Sequence, residues 1–263
     1  MKNEKRASHI INSPVSPDRR RFLAVSAAAS VAAIFATRAL AGQTLAELSA
    51  PAWAASDIPP QAGRTVVITG GNGVPRTIAS GTFPPPGTYS GLGFQDALAL
   101  AGKGANVIIA SRNAQKGQEA VAAIEAQYPG ASVRFETLDL ADLRSVQAFS
   151  ERLRSQVSRI DILINNAATA GTPDRKVNAD GLELCWATNV VGHYSLTAHL
   201  LPLLQRGNNP RAVFLSSSAA RRATMRFADL QTQQNYTPLN AYSHSKLAIL
   251  ILARETQPSG ISR

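Results

Sequence analysis

The sequence predicts an α/β fold, a doubly wound parallel sheet covered by helices on both faces. Three observations predict it: short β-branched apolar runs recur from Arg64 onward, stretches of helical length separate them, and the first run ends in Gly70-Gly71. Strands alternating with such helices imply right-handed crossovers and a sheet buried on both sides. Composition permits a packed core, since 44% of the 263 residues are hydrophobic, and wholesale disorder is excluded. Ordinary glycine and proline usage excludes collagen-like and low-complexity chains. The length suits one domain of up to about 250 residues, or two small ones.

The chain opens with Lys2, Lys5 and Arg6, followed by the twin-arginine stretch Asp18-Arg19-Arg20-Arg21-Phe22-Leu23. Residues 22–37 form a mildly apolar run whose 16 residues fall short of the ~20 that cross a bilayer. Ala39-Leu40-Ala41 then supplies a small-x-small cleavage pattern. Basic, apolar, small is the order of a secretory signal, and paired arginines before Phe-Leu resemble the Tat class, an address read by an export receptor. Residues 1–41 are therefore expected to be a Tat-type signal peptide that sends the protein to the periplasm. The alternative is an uncleaved signal that tethers it to the membrane. No stable membrane span is expected. Residues 42–62, with Pro51, Pro59 and Pro60, are expected to be an extended linker, and 63–263 the folded domain.

Within that domain Thr65-Val66-Val67-Ile68-Thr69 reads as the first buried strand. Similar strands are predicted at 106–110, 132–136, 160–164 and 212–215, with helices at about 91–103, 114–127, 142–157 and 186–206. Helix 142–157 puts Leu143, Val146, Phe149, Leu153 and Val157 on one stripe. Asp139 and Asp142 stand at its start, where carboxylates cap free N–H groups and suit the helix dipole. A sheet of this kind binds ligands at the carboxyl ends of its strands.

Net charge is +10, and half of it lies in residues 1–41, which carry seven basic and two acidic side chains. Elsewhere basic residues are dispersed, Arg221-Arg222 being the densest pair, and aromatics do not interleave with them. A nucleic-acid role needs a clustered basic face and is not expected. Cys185 is the only cysteine, which excludes an internal disulfide framework and a Cys-rich zinc site. It reads as a small buried apolar residue rather than a nucleophile. Four scattered histidines offer no metal-ligand spacing, so no metal is expected.

The chemistry-bearing motifs follow the strands. Thr69-Gly70-Gly71-Asn72 after the first strand and Ser90-Gly91-Leu92-Gly93-Phe94 before the first helix are two halves of a glycine-rich turn, separated by the 17 residues 73–89. Glycines in such a turn let backbone N–H groups approach a pyrophosphate at a helix N-terminus. An excursion of this length is thermodynamically tolerable, because loop-closure cost grows slowly. Ala110-Ser111-Arg112-Asn113 ends the second strand, and Asn165-Asn166-Ala167-Ala168 the fourth. Tyr242-Ser243-His244-Ser245-Lys246 gives Tyr-x-x-x-Lys, two side chains one helical turn apart. A phenol is a poor acid or base near neutrality until a neighbouring ammonium favours its phenolate. Ser217, in Leu215-Ser216-Ser217-Ser218 at a strand end, lies 25 residues before Tyr242. Thr188-Asn189-Val190-Val191-Gly192 precedes it.

In this order and spacing the motifs resemble the short-chain dehydrogenase/reductase family, in its retinol dehydrogenase and protochlorophyllide reductase-like branch, over about residues 64–255. Phe227-x-Asp229-Leu230-Gln231, between Ser217 and Tyr242, strengthens the match to that branch. The resemblance implies a Rossmann-type sheet in a single domain and an oxidoreductase that interconverts a carbonyl and an alcohol. Hydride would come from a nicotinamide cofactor, Tyr242 would donate the proton, and Ser217 would hold the substrate oxygen. Lys246 would tune Tyr242 and contact the nicotinamide ribose, and Asn189 would help order a proton-relaying water. Thr69, Gly70, Asn72, Ser90, Gly91, Leu92 and Gly93 would cradle the pyrophosphate. Asp139-Leu140 would meet the adenine, and Asn166-Ala167 would border the cofactor with Tyr242 and Lys246. NAD-selective dinucleotide folds place an acidic residue at the end of the second strand. Ser111 and Arg112 instead suit the 2′-phosphate of NADP, so NADPH is favoured over NADH. The implied partners are a small lipophilic carbonyl or alcohol and further copies of the chain, as a homodimer or homotetramer.

Departures from the family pattern are the 73–89 insertion, Ala168 in place of a glycine, and a chain that runs only 17 residues past Lys246. The last two strands and the substrate-covering segment of the family are accordingly expected to be missing, leaving the fifth strand beside the fourth with an unpaired edge. The alternative reading is a catalytically impaired remnant that binds nucleotide or a partner without turnover. An epimerase or dehydratase of the extended relatives is disfavoured by the glycine spacing and by the segment from Ser217 to Tyr242.

Overall fold

The computed structural model describes residues 54–72 and 91–256. The expected signal peptide, most of the expected linker, the 73–89 insertion with Ser90, and residues 257–263 lie outside the described residues.

Five strands alternate with helices: β1 (Thr65–Thr69), α1 (Leu92–Gly102), β2 (Asn106–Ser111), α2 (Ala114–Gln127), β3 (Val133–Thr137), α3 (Leu143–Gln156), β4 (Ile162–Asn165), α4 (Gly192–Gln205), β5 (Arg211–Phe214) and α5 (Pro238–Glu255). All strand pairings are parallel, in the order β3-β2-β1-β4-β5. Ile68 faces Ile109 on one side and Ile164 on the other, so β1 is central. The chain grows outward from β1 to β3 and then restarts at β4 on β1's other flank. The crevice opens where the order reverses, above the ends of β1 and β4. This is the Rossmann-type parallel sheet that the sequence predicts.

The two-residue period of a strand sorts the apolar side chains between two layers. Val67, Ile108 and Leu163 meet Val146, Phe149 and Leu153 of α3 and Leu196, Leu200 and Leu203 of α4. Val66, Ile68, Val107 and Ile109 meet Phe94 and Ala97 of α1 and Ala120 and Ile124 of α2. Leu143 and Val157, at the ends of the predicted stripe, are only half-buried. Helix starts are capped locally: Asn113, Asp142 and Thr237 each accept a backbone N–H of the following turn, and Pro238 opens α5.

Several element boundaries differ from the sequence reading. The fourth strand begins at Ile162 rather than residue 160, and the buried Asp161 before it acts as a staple. Its carboxylate accepts the N–H groups of Thr65 (2.7 Å) and Asn208 (2.6 Å) and pairs with Arg159 at 3.4 Å. Burial alone would push its pKa up, but those two N–H donors and the guanidinium outweigh it and hold the carboxyl below its ordinary range. The helix predicted over 186–206 is two segments, a π-helical stretch Trp186–Val191 and then α4. Finally, β5 runs Arg211–Phe214 rather than over 212–215. Among the described residues β5 pairs only with β4, and Val213 is 42% exposed. No described helix is long and apolar enough to cross a membrane.

Candidate active site

A cavity of about 780 Å³ lies over the reversal point, lined from every strand end that faces it. Its floor depends on close backbone approach. Gly70 has φ +72°, a left-handed conformation, and a Cβ there would stand 2.9 Å from Ala167 Cα. A Cβ on Gly93 would run into the Asn166 side chain and stand 3.1 Å from the Gly70 carbonyl oxygen. The two halves of the glycine-rich turn therefore meet across the insertion, against Asn166-Ala167. Gly70, Asn72, Gly91, Leu92 and Gly93 all line the cavity, and α1 starts among them, offering the positive end of a helix to an anion.

The next wall is the end of β2 and the start of α2. Ser111 and Arg112 line it, joined by Asn113 and Lys116, which the sequence reading did not single out. Their signal was there: a residue in the first turn of a capped helix sits on the same side as the strand end that feeds it. The Asn113 side chain accepts the Lys116 N–H at 2.9 Å, fixing that turn. Ser111 Oγ is buried without a hydrogen-bond partner, an arrangement a bound polar ligand would satisfy. Asp139 and Leu140 form the third wall. The Asp139 carboxylate accepts the Ala141 N–H at 2.9 Å, so it shapes the turn before α3. A glycine cradle, two cations and an orphaned hydroxyl suit the phosphates of a nicotinamide dinucleotide.

Thr69 lies beneath the floor, fully buried. Its hydroxyl oxygen accepts the N–H groups of Asn166 and Ala167, both at 3.0 Å, and the Asn166 amide donates to the Thr69 carbonyl at 2.7 Å. His193, at the start of α4 and 2% exposed, places Nε2 3.0 Å from the Thr69 hydroxyl and Nδ1 3.1 Å from the Asn189 carbonyl oxygen. Burial pushes the imidazole down to about 4; its bond to Asn189 acts in the opposite direction, and the charge of Lys246 adds to the lowering. It is neutral near pH 7.

The predicted catalytic group stands on α5 and the elements it packs against. Lys246 Nζ lies 5.8 Å from the centre of the Tyr242 ring and donates to the Leu215 carbonyl at 2.8 Å. Burial holds the ammonium below the usual lysine range, partly offset by the Cys185 thiol. Ser217 Oγ accepts the Ala219 N–H at 3.2 Å, capping the short turn Ser218–Arg222. The Asn189 amide clamps Thr169 through its N–H (2.8 Å) and carbonyl (2.9 Å), and donates to Ser245 Oγ at 2.9 Å. Ser245 in turn donates to the Tyr242 carbonyl at 2.8 Å. Asn189 thus ties the loop after β4 to the helix that carries Tyr242. Ser217, Tyr242 and Lys246 are not among the residues lining the cavity, which ends on this flank at Thr169 and Thr188.

The neighbours of the motif are structural. His244 stacks on Trp186 with 5.6 Å between ring centres, and its Nε2 accepts the Arg226 N–H at 3.2 Å. Ser216 Oγ donates to the Lys246 carbonyl at 2.7 Å. Burial pushes the Cys185 thiol up to about 12, with Glu183 adding and Lys246 opposing, and its Sγ donates to the Thr169 carbonyl at 3.3 Å. A thiol so placed is a packing group, as the sequence reading has it.

A model of the short chain dehydrogenase family matches residues 86–260. Retinol dehydrogenase 12 of Mus musculus is 39% identical over 193 residues, covering 73% of this chain and 55% of that protein. Retinol dehydrogenase 13 of the same organism is 35% identical over 205 residues, covering 76% and 56%. The chain spans about half the length of these relatives. Among solved structures, an uncharacterised protein from Mycobacterium paratuberculosis shares 38% identity and a TM-score of 0.62, covering 78% of this chain and 65% of that one. A short chain dehydrogenase from Escherichia coli CFT073 complexed with NADPH shares 25% identity and a TM-score of 0.55, covering 75% and 73%. With its parallel sheet, its reassembled glycine turn and Tyr242 beside Lys246, this chain belongs to the short-chain dehydrogenase/reductase family.

Proposed function

We propose that the protein is an NADP(H)-dependent oxidoreductase interconverting a small lipophilic carbonyl and the corresponding alcohol. One observation carries the reading: the split glycine turn closes on Asn166-Ala167 beside a wall holding Ser111, Arg112 and Lys116. The glycine turn and the N-terminus of α1 would hold the pyrophosphate, and Arg112 with Lys116 the 2′-phosphate, which guanidinium and ammonium groups suit. Asp139 and Leu140 would border the adenine. When bound, the nicotinamide supplies the hydride.

The protein's part is placement and proton transfer. Tyr242 delivers the proton to the substrate oxygen, Ser217 donates a hydrogen bond to that oxygen as charge develops, and Lys246 places its ammonium 5.8 Å from the centre of the Tyr242 ring. Asn189 holds this helix against the loop after β4. The retinol dehydrogenases among the relatives support a lipophilic substrate. Export through the Tat pathway and assembly as a homodimer or homotetramer belong to the same proposal.

Titrating the full chain against NADPH and NADH by nucleotide fluorescence, then adding a panel of long-chain and aromatic aldehydes, tests it. Saturable NADPH binding with aldehyde-dependent turnover is expected. Binding without turnover would favour the second reading, a nucleotide-binding remnant. That reading is prompted by Ser217 and Lys246, whose polar atoms are already engaged by backbone.

A further inference from the structure

We infer that His193 is a positioning residue, whose imidazole locks the Thr69 hydroxyl as the acceptor that holds Asn166 and Ala167 at the floor of the nucleotide cavity. The inference rests on the nucleotide-binding reading above and deepens it.

Proton counting along the chain of contacts leaves one arrangement. The Asn189 carbonyl can only accept, so Nδ1 of His193 carries the proton at 3.1 Å. A neutral imidazole has one N–H, so Nε2 is an acceptor. The single hydroxyl hydrogen of Thr69 therefore points to Nε2 at 3.0 Å. Its lone pairs are then turned toward the N–H groups of Asn166 and Ala167, each at 3.0 Å. Among the described residues, the other acceptor within reach of that hydrogen is the Ile164 carbonyl, at 3.4 Å. Without Nε2 the hydroxyl swings there, and the two N–H groups lose the lone pairs aimed at them.

Such a swing would not stay local. The Asn166 amide occupies the space that Gly93 leaves free, and Ala167 sits against Gly70. A shift of either residue is passed to the turn and to the start of α1. On the imidazole's other edge, Asn189 leads through Ser245 to the Tyr242 backbone. One ring thus spans the cradle and the catalytic helix.

Two substitutions separate the edges of the ring. His193→Asn puts an amide nitrogen near the Nδ1 position, keeping the donor to Asn189 and removing the partner of Thr69. His193→Gln reaches further and puts an amide oxygen near the Nε2 position. Thr69→Val removes the hydroxyl and keeps the shape. The readout is the NADPH dissociation constant of the full chain by fluorescence titration, with thermal melting alongside. His193→Asn and Thr69→Val are each expected to weaken NADPH about tenfold, the double variant no further, and His193→Gln to stay within about threefold of the unaltered chain. Equal weakening by the Asn and Gln variants, additive losses in the double variant, or a lowered melting temperature with unchanged NADPH affinity would each overturn the inference. Should His193→Asn fail to fold, an unchanged affinity in Thr69→Val overturns it as well. Absence of NADPH binding by the unaltered chain would instead remove the reading of the site itself, and this inference with it.

Discussion

Tyr242 and Lys246 share one face of α5, but they play different parts. The lysine is 4% exposed, with its ammonium on a backbone carbonyl, whereas the tyrosine is only half-buried. Tyr242→Phe keeps the ring packing and removes the proton carrier. Aldehyde-dependent NADPH oxidation should fall by at least about 100-fold while nucleotide affinity changes little. Arg112→Ala should weaken NADPH by about 10-fold or more and leave NADH nearly unchanged, read by the same titration with both nucleotides. His193 supplies a pH dependence. Its folded pKa, about 4, lies below the ordinary 6.5, so between these values the unfolded chain binds more protons than the folded one. Stability therefore rises with pH across that window and is lost as pH falls through it, by about 3 kcal/mol in full. Urea midpoints at pH 7 and pH 4.5 should show the loss, and His193→Gln should flatten it. The placement of Ser111 and Arg112 on the cavity wall was legible from the sequence, because the end of the second strand faces the crevice. His193 was not, because a histidine inside an apolar helix carries no sign of the carbonyl and the hydroxyl that packing brings to its two nitrogens.

At the scale of elements, α2 lies on the sheet so closely that Gly117 has no room for a side chain, since a Cβ there would overlap the Phe135 ring of β3. Gly117→Ala should gain helix propensity yet still destabilise the fold by about 1–3 kcal/mol, measured by urea unfolding, because the overlap forces the helix off the strand. Strands were legible to within a residue or two from β-branched runs, and the stripe of α3 from its three-and-four spacing. The π-helical stretch over Trp186–Val191 was not. One inserted backbone step leaves the apolar spacing of the flanking turns almost unchanged, and its trace is the contact it permits: Gly192 pressed against the Leu140 carbonyl. Such stretches favour functional positions, and this one carries Asn189.

For the whole molecule, the parallel sheet covered on both faces was legible from the alternation of strands and helices, and so was the place of the fifth strand beside the fourth. The meeting of the split turn was not, since two glycine runs separated by 17 residues carry no statement about their distance in space. It is settled by the sheet: β1 ends at Thr69 between β2 and β4, and the loop after β4 presents Asn166 to both halves.

The central place of β1 has a consequence for motion. Successive N–H groups of β1 bond alternately to β2 and to β4, both inside the sheet, so their deuterium exchange should track global unfolding, while the outer β3 and β5 exchange sooner. Mass spectrometry of peptic fragments after timed labelling would read that ranking. The turn that follows Thr69 is thereby rooted in the last part of the protein to loosen. Cradle geometry should accordingly survive the breathing of peripheral strands, and thermal drift that frays the sheet's margins should reach the phosphate-facing backbone last.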